Sequence, residues 1–159
     1  MKDSFGATFI FIIVIAFIVL FTGYICVSIN QTKAFNVKNE IVEALERYGN
    51  YSSALFKNSV KSAFEKEGYR TVGNCDVPKG KKVLGCGRTG ECSITNLENV
   101  AFCITINPFQ KTSESTSGIK GAYYTVETFY QLDLPIINSF FNLSTKGETQ
   151  LILGNCDCE

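Results

Sequence analysis

Residues 5–29 carry no charged side chain. Sixteen of these 25 residues are Phe, Leu, Ile or Val, and the interruptions, Gly6, Thr8, Thr22, Gly23 and Ser28, are small or weakly polar. A helix of this length reaches ~37 Å, against a hydrocarbon core of ~30 Å. Each large apolar residue near the centre of a span favours insertion by roughly 0.3–0.6 kcal/mol, so their sum outweighs the few polar groups. The stretch exceeds the ~7–15 apolar residues of a secretory signal. Cys26-Val27-Ser28-Ile29 is a poor cutting site, and Ile25 stands where a lipoprotein signal needs a small residue. The segment reads as a retained anchor, with membrane lipid as its first partner. The chain divides into a leader and transmembrane helix, residues 1–29, and a head, residues 30–159.

Charge does not orient the anchor. Lys2 and the amino terminus lie on one side, Lys33 and Lys38 on the other, so the positive-inside rule is nearly silent. The cysteines decide. Cys26 falls within the span and reads as an apolar thiol. The other six, Cys75, Cys86, Cys92, Cys103, Cys156 and Cys158, are an even number clustered in a small head, the mark of a disulfide framework. This predicts an oxidising, extracytoplasmic location. Zinc is the alternative use of such thiols, but without histidine it needs four of them, and no Cys-x-x-Cys pair is present. Cys75 and Cys86, like Cys92 and Cys103, enclose ten residues and could close locally. Cys156 and Cys158 are too close in sequence for an unstrained bond with each other. If they do not pair, both reach back into the 75–103 cluster and staple the carboxy-terminal tail to the head. A redox role for Cys156-Asp157-Cys158 is disfavoured, because Asp157 and Glu159 oppose thiolate formation.

Past the membrane the apolar pattern narrows to one stripe. Ala34, Val37, Ile41, Leu45 and Tyr48 recur at helical steps among Lys38, Glu40, Glu43, Glu46 and Arg47. No proline or glycine falls between Tyr24 and Tyr48, so the spacing predicts one helix from about Phe5 to Tyr48. Gly49-Asn50 stops it. Ser52 or Ser53 caps a second helix, which carries Leu55, Phe56, Val60, Ala63 and Phe64 on one side and ends at Gly68. The period then changes to two. Val100, Phe102, Ile104 and Ile106 alternate, as do Ala122, Tyr124, Val126, Tyr130 and Leu132, with Pro108 and Pro135 closing the strands. Residues 134–141 suggest a helical turn, and residues 143–153 a last strand with a bulge or bend at Gly147. Residues 73–90 and 110–117 read as loops, the latter a mobile hairpin connection. The expected class is α+β: a long amino-terminal helix whose stripe at 34–48 covers a small antiparallel sheet, with a second helix.

This layout resembles the type IV pilin-like proteins, and most closely the TadE-like pseudopilins of tight-adherence pili. The resemblance rests on the short leader and on the apolar helix that becomes amphipathic. It rests too on the run from Tyr123-Tyr124-Thr125-Val126 through Leu134-Pro135-Ile136-Ile137 to Leu151-Ile152-Leu153. It implies a pilin-like fold and a structural role in a pilus. Its implied partners are other pilin-like subunits, the assembly machinery and a prepilin peptidase. It also implies cleavage between Gly6 and Ala7. The family pattern places a glutamate at the fifth position after the cut, where this chain has Phe11.

Other function classes lose ground. Lysine plus arginine equals aspartate plus glutamate, 15 each, giving no basic surface for nucleic acid. The absence of histidine removes the commonest general base and metal ligand. No nucleophile–base pair or phosphate loop is recognisable, so neither catalysis nor a cofactor is expected. Asn30, Asn50 and Asn142 open glycosylation sequons, a short pattern that recurs by chance. The remaining rival is an anchored extracytoplasmic binding or sensing domain without a fibre. The sheet face bearing Tyr123, Thr125, Glu127, Phe129 and Gln131 either meets a partner or packs under a loop.

Overall fold

The computed structural model describes residues 2–68, 72–113, 116–134 and 137–153. Helix α1 runs unbroken over Lys2–Tyr48, 47 residues. It stops where Gly49 adopts a left-handed conformation, φ +64°, and donates its N–H to the Leu45 carbonyl at 2.8 Å. That conformation is costly for any residue with a Cβ. Helix α2 spans Ala54–Glu67. Ser53 caps it, its Oγ accepting from the Phe56 N–H at 3.1 Å, and Gly68 closes it by donating to the Phe64 carbonyl. Phe56, Val60, Ala63 and Phe64 are buried as expected, but Leu55 is exposed. One residue turns a helix by about 100°, and Leu55 falls beside the stripe rather than on it.

Six antiparallel strands form one sheet: β1 Lys82–Cys86, β2 Cys92–Ser93, β3 Phe102–Ser113, β4 Thr116–Leu134, β5 Ile137–Glu148 and β6 Ile152–Leu153. The order is β2-β1-β3-β4-β5, with β6 also on β4. Several expectations need correction. The glycine-rich stretch at 73–90 contains strand β1, because Lys82 to Cys86 pair with Ile106 to Phe102. Pro108 does not close β3 but lies within it, opposite Ala122. The β1 pairing has ended by Ile106, so Pro108 sits on an open edge, where a missing N–H is tolerated. Within the segment read as a loop, the β3–β4 ladder continues through Gln110↔Lys120 to Ser113↔Thr116. The suggested helical turn is instead the start of β5, held by Leu134↔Ile137 and Asp133↔Asn138. Pro135 lies outside the described residues.

The expected last strand is two. β5 leaves β4 at Glu148↔Thr125, and β6 rejoins the same edge at Ala122 and Gly121. Thr149 fills the gap, donating its N–H to the Tyr124 carbonyl and accepting from the Tyr124 N–H through Oγ1, both at 2.9 Å. Gly147 is no bulge. It pairs regularly with Val126, and the register shift lies elsewhere, between Gln131 and Asp133.

One sheet face carries Leu84, Phe102, Ile104, Ile106, Tyr124, Val126 and Tyr130 into the main core. Ala34, Val37, Ile41 and Leu45 of α1 meet it, each fully buried, together with the apolar side of α2. Burying each of the larger aliphatic side chains favours folding by roughly 1.5–3 kcal/mol. Thr128 lies among them, and its hydroxyl donates to the Ala34 carbonyl at 3.3 Å, which satisfies a buried polar group.

Candidate functional site

The largest exposed apolar feature among the described residues is in the amino-terminal half of α1. From Phe9 to Phe21 its large apolar side chains are exposed, and the helix contains an 18-residue window of mean hydropathy 3.0 with none of it buried. Three of its polar groups bond within the helix. Thr22 Oγ1 donates to the Ile18 carbonyl at 2.7 Å, Thr32 Oγ1 to the Ser28 carbonyl at 2.9 Å, and Asn30 Nδ2 to Cys26 Sγ at 3.8 Å. Helical backbone and internally bonded hydroxyls are what a hydrocarbon environment demands. The helix is thus long and apolar enough to serve as a single-pass membrane anchor. Gly6 and Ala7 lie within α1, and Phe11 is an exposed residue of the same apolar stretch.

Two disulfides organise the head: Cys86–Cys92 packs with the main core, and Cys75–Cys103 lies on the sheet face away from α1. Cys75 bonds Cys103, with Cα atoms 5.7 Å apart, and Cys86 bonds Cys92, with Cα atoms 4.1 Å apart. Neither ten-residue interval closes on itself. The four cysteines of the cluster pair among themselves, so none is left for the expected staple to the tail; Cys156 and Cys158 lie outside the described residues. Cys86–Cys92 joins directly opposed residues of the β1–β2 hairpin. The signal was present in Gly87-Arg88-Thr89-Gly90, a tight-turn sequence that brings its flanks together. Cys75–Cys103 pins the preceding segment across the sheet, where Gly73 exchanges backbone hydrogen bonds with Val100 at 2.9 and 3.0 Å. A Cβ on Gly73 would come within 2.1 Å of the Phe129 ring, so only glycine lets the chain lie this close. Phe129 is buried beneath it with Val83, Val100 and Cys103.

The rest of that face is polar. Asn107 Nδ2 donates to Thr125 Oγ1 at 2.9 Å, Ser144 Oγ donates to Glu127 Oε1 at 2.7 Å, and Lys146 pairs with Glu127 at 3.3 Å. Tyr123 stays partly exposed. The two sequence-level readings of this face therefore divide it, with Phe129 under the loop and Tyr123 outside it.

Two features had no sequence-level counterpart. A groove of about 550 Å³ lies between the start of α2 and the β1–β2 hairpin, bordered by Tyr51, Lys57, Glu91, Ser93, Asn96 and Asn99. Its residues come from separate segments and share no motif. The second is Lys38, which is buried on α1, with its Nζ 3.9 Å from the centre of the Phe35 ring and its stem passing over Gly147. Burial pushes its amine below the ordinary lysine value. Among the described residues no cluster of acidic, cysteine or histidine side chains is arranged to hold a metal ion.

No protein-family model, no curated protein and no solved structure matches this chain.

Proposed function

We propose that the protein is a non-catalytic, pilin-like membrane subunit, a minor pilin or pseudopilin of the TadE-like kind, whose head stands outside the cytoplasm. The carrying observation is the continuity of α1, which is apolar on all sides at its amino-terminal end and one wall of the head's core at the other. A tethered ectodomain more often has a flexible linker at the membrane surface. In the proposed role the span holds the subunit in the bilayer. Extraction into a fibre would exchange lipid for the helices of neighbouring subunits, a matter of packing alone. The two disulfides support an oxidising location. A prepilin peptidase and the pilus assembly machinery are the proposed partners.

The test is the intact mass of membrane-purified protein, with and without reduction, from cells that carry a prepilin peptidase. A chain beginning at Ala7 with disulfides intact supports the proposal. A chain beginning at Met1 that also fails to co-purify with pilus components favours an anchored binding domain, for which the polar groove beside Lys57 and Asn96 would be the site. Fully reduced cysteines would overturn the extracytoplasmic location.

A further inference from the structure

Strand β4 runs antiparallel to α1, and contacts at two levels align them. At one, Thr128 Oγ1 donates to the Ala34 carbonyl. At the other, Ile152, which pairs with Ala122, lies 3.9 Å from the place a Cβ on Gly49 would occupy. Between these levels α1 advances from Ala34 to Gly49, ~22 Å, and β4 from Thr128 back to Ala122, ~20 Å. Helix and strand are thus nearly collinear, and β4 continues past Thr128 toward the apolar end of α1. Leu134 lies ~20 Å further along, the rise of about 13 helical residues before Ala34. Strand twist and the register shift between Gln131 and Asp133 shorten that reach. The end of the β4–β5 hairpin therefore falls between the levels of Phe21 and Asn30, alongside the membrane segment.

The surface of α1 carries an independent sign of this. Cys26, Val27 and Asn30 are half-buried, while Phe21, Tyr24, Ile25 and Ile29 are exposed, and a Cβ on Gly23 would meet open space. Steps of three and four place the half-buried residues on one stripe, which continues into buried Ala34 and Val37. The β4–β5 hairpin is the described element that reaches this level. Phe102↔Thr128 is the terminal pair between β3 and β4, and past the buried Phe129 and Tyr130 the hairpin continues as a two-stranded ribbon. Such ribbons are marginal alone in water. This one holds Leu132, Leu134, Ile137, Phe140 and Phe141 against a single charged residue, Asp133.

We infer that the β4–β5 hairpin is a second membrane-contacting element, an apolar ribbon that enters the interfacial layer of the bilayer beside α1. The inference rests on α1 spanning that bilayer. Lipid is the occupant because the apolar part of α1 begins at the same level. Depth is limited in two ways. Unpaired strand edges do not occur facing hydrocarbon, and Asp133 is costly there. The ribbon accordingly rests at the boundary of headgroups and acyl chains, the depth at which interfacial elements lie. Helix and ribbon together give the head two contacts with the membrane, which fixes its rotation about the helix axis.

The chain contains no tryptophan, so single-tryptophan variants report depth directly. Full-length F140W, F17W and L151W are reconstituted separately in phosphatidylcholine vesicles brominated either high or low on the acyl chain. F141W, at the next position of β5, is made alongside F140W in case that variant folds poorly. The inference expects F140W emission to be quenched, and more by high than by low bromine. F17W should be quenched more by low bromine, and L151W not at all. If F17W is quenched and both ribbon variants are not, the ribbon is off the membrane and the inference is overturned while the anchor stands. If F17W is also unquenched, the anchor fails and the inference falls with it.

Discussion

The two halves of α1 are the same helix in two surroundings. Around Ile12 the side chains stand clear of the protein on every side, whereas around Ile41 one stripe is fully buried and the exposed face carries Asn39, Glu43 and Arg47. Backbone geometry does not distinguish them. What differs is what surrounds the apolar groups, so equal truncations in the two halves should have unequal consequences.

The largest expected effect tests this directly. Leu45→Ala opens the core between α1 and the sheet and should destabilise the head by roughly 2–5 kcal/mol. Ile12→Ala should leave the head's unfolding transition in detergent unchanged. Chemical denaturation of both full-length variants, followed by near-ultraviolet circular dichroism, makes the comparison. Equal losses would mean that the span packs on the head after all.

The second prediction sharpens the contrast between the two disulfides. Cys75–Cys103 closes a sequence separation of 28 and Cys86–Cys92 one of 6. If restriction of the unfolded chain dominates, replacing the first pair by alanines should cost ~3–4 kcal/mol and the second ~2 kcal/mol. Replacing Cys156 and Cys158 should leave both of these bonds intact, as peptide mapping would reveal.

The smallest effect concerns Lys38, which lies on the core half of α1 yet carries a charge. Its amine is held below the ordinary value of 10.5 by burial. The folded state therefore releases this proton before the unfolded state does. Between the two values the unfolded chain binds more protons, and stability rises with pH. Lys38→Met removes the dependence. The stability difference between K38M and the parent, on the order of 1 kcal/mol, should shrink as pH approaches 10.5. A difference constant over that range would show that Lys38 titrates alike folded and unfolded.

What could be read from the sequence follows the range of the interactions involved. The extent of α1, a cap at Ser52 or Ser53 and the Gly68 stop are set by residues within a few positions of one another and are legible, with the structure choosing Ser53. The alternation at Phe102, Ile104 and Ile106 is likewise local. The Cys75–Cys103 bond is not local, because Cys75 meets Cys103 only once β3 and the loop before β1 are in place. The start of β5 was misread for a related reason: its apolar run suits a helical turn equally well, and only pairing with β4 decides. Pro108 misled because its meaning depends on whether β1 still runs beside it. The long apolar stretch of α1, a candidate span by length and composition, was legible. The groove beside Lys57 was not, since it is assembled from α2, the β1–β2 hairpin and the segment before β3.

The absence of any break in α1 between the span and Tyr48 has a mechanical consequence. A rod of 47 residues extends ~70 Å, and its outer third is clamped into the head. Any leaning of the rod within the bilayer is therefore transmitted as a swing of the head, with no hinge to absorb it. A force applied to the head is delivered in turn to the apolar end of the helix as leverage, and the chain responds to pulling as one stiff body.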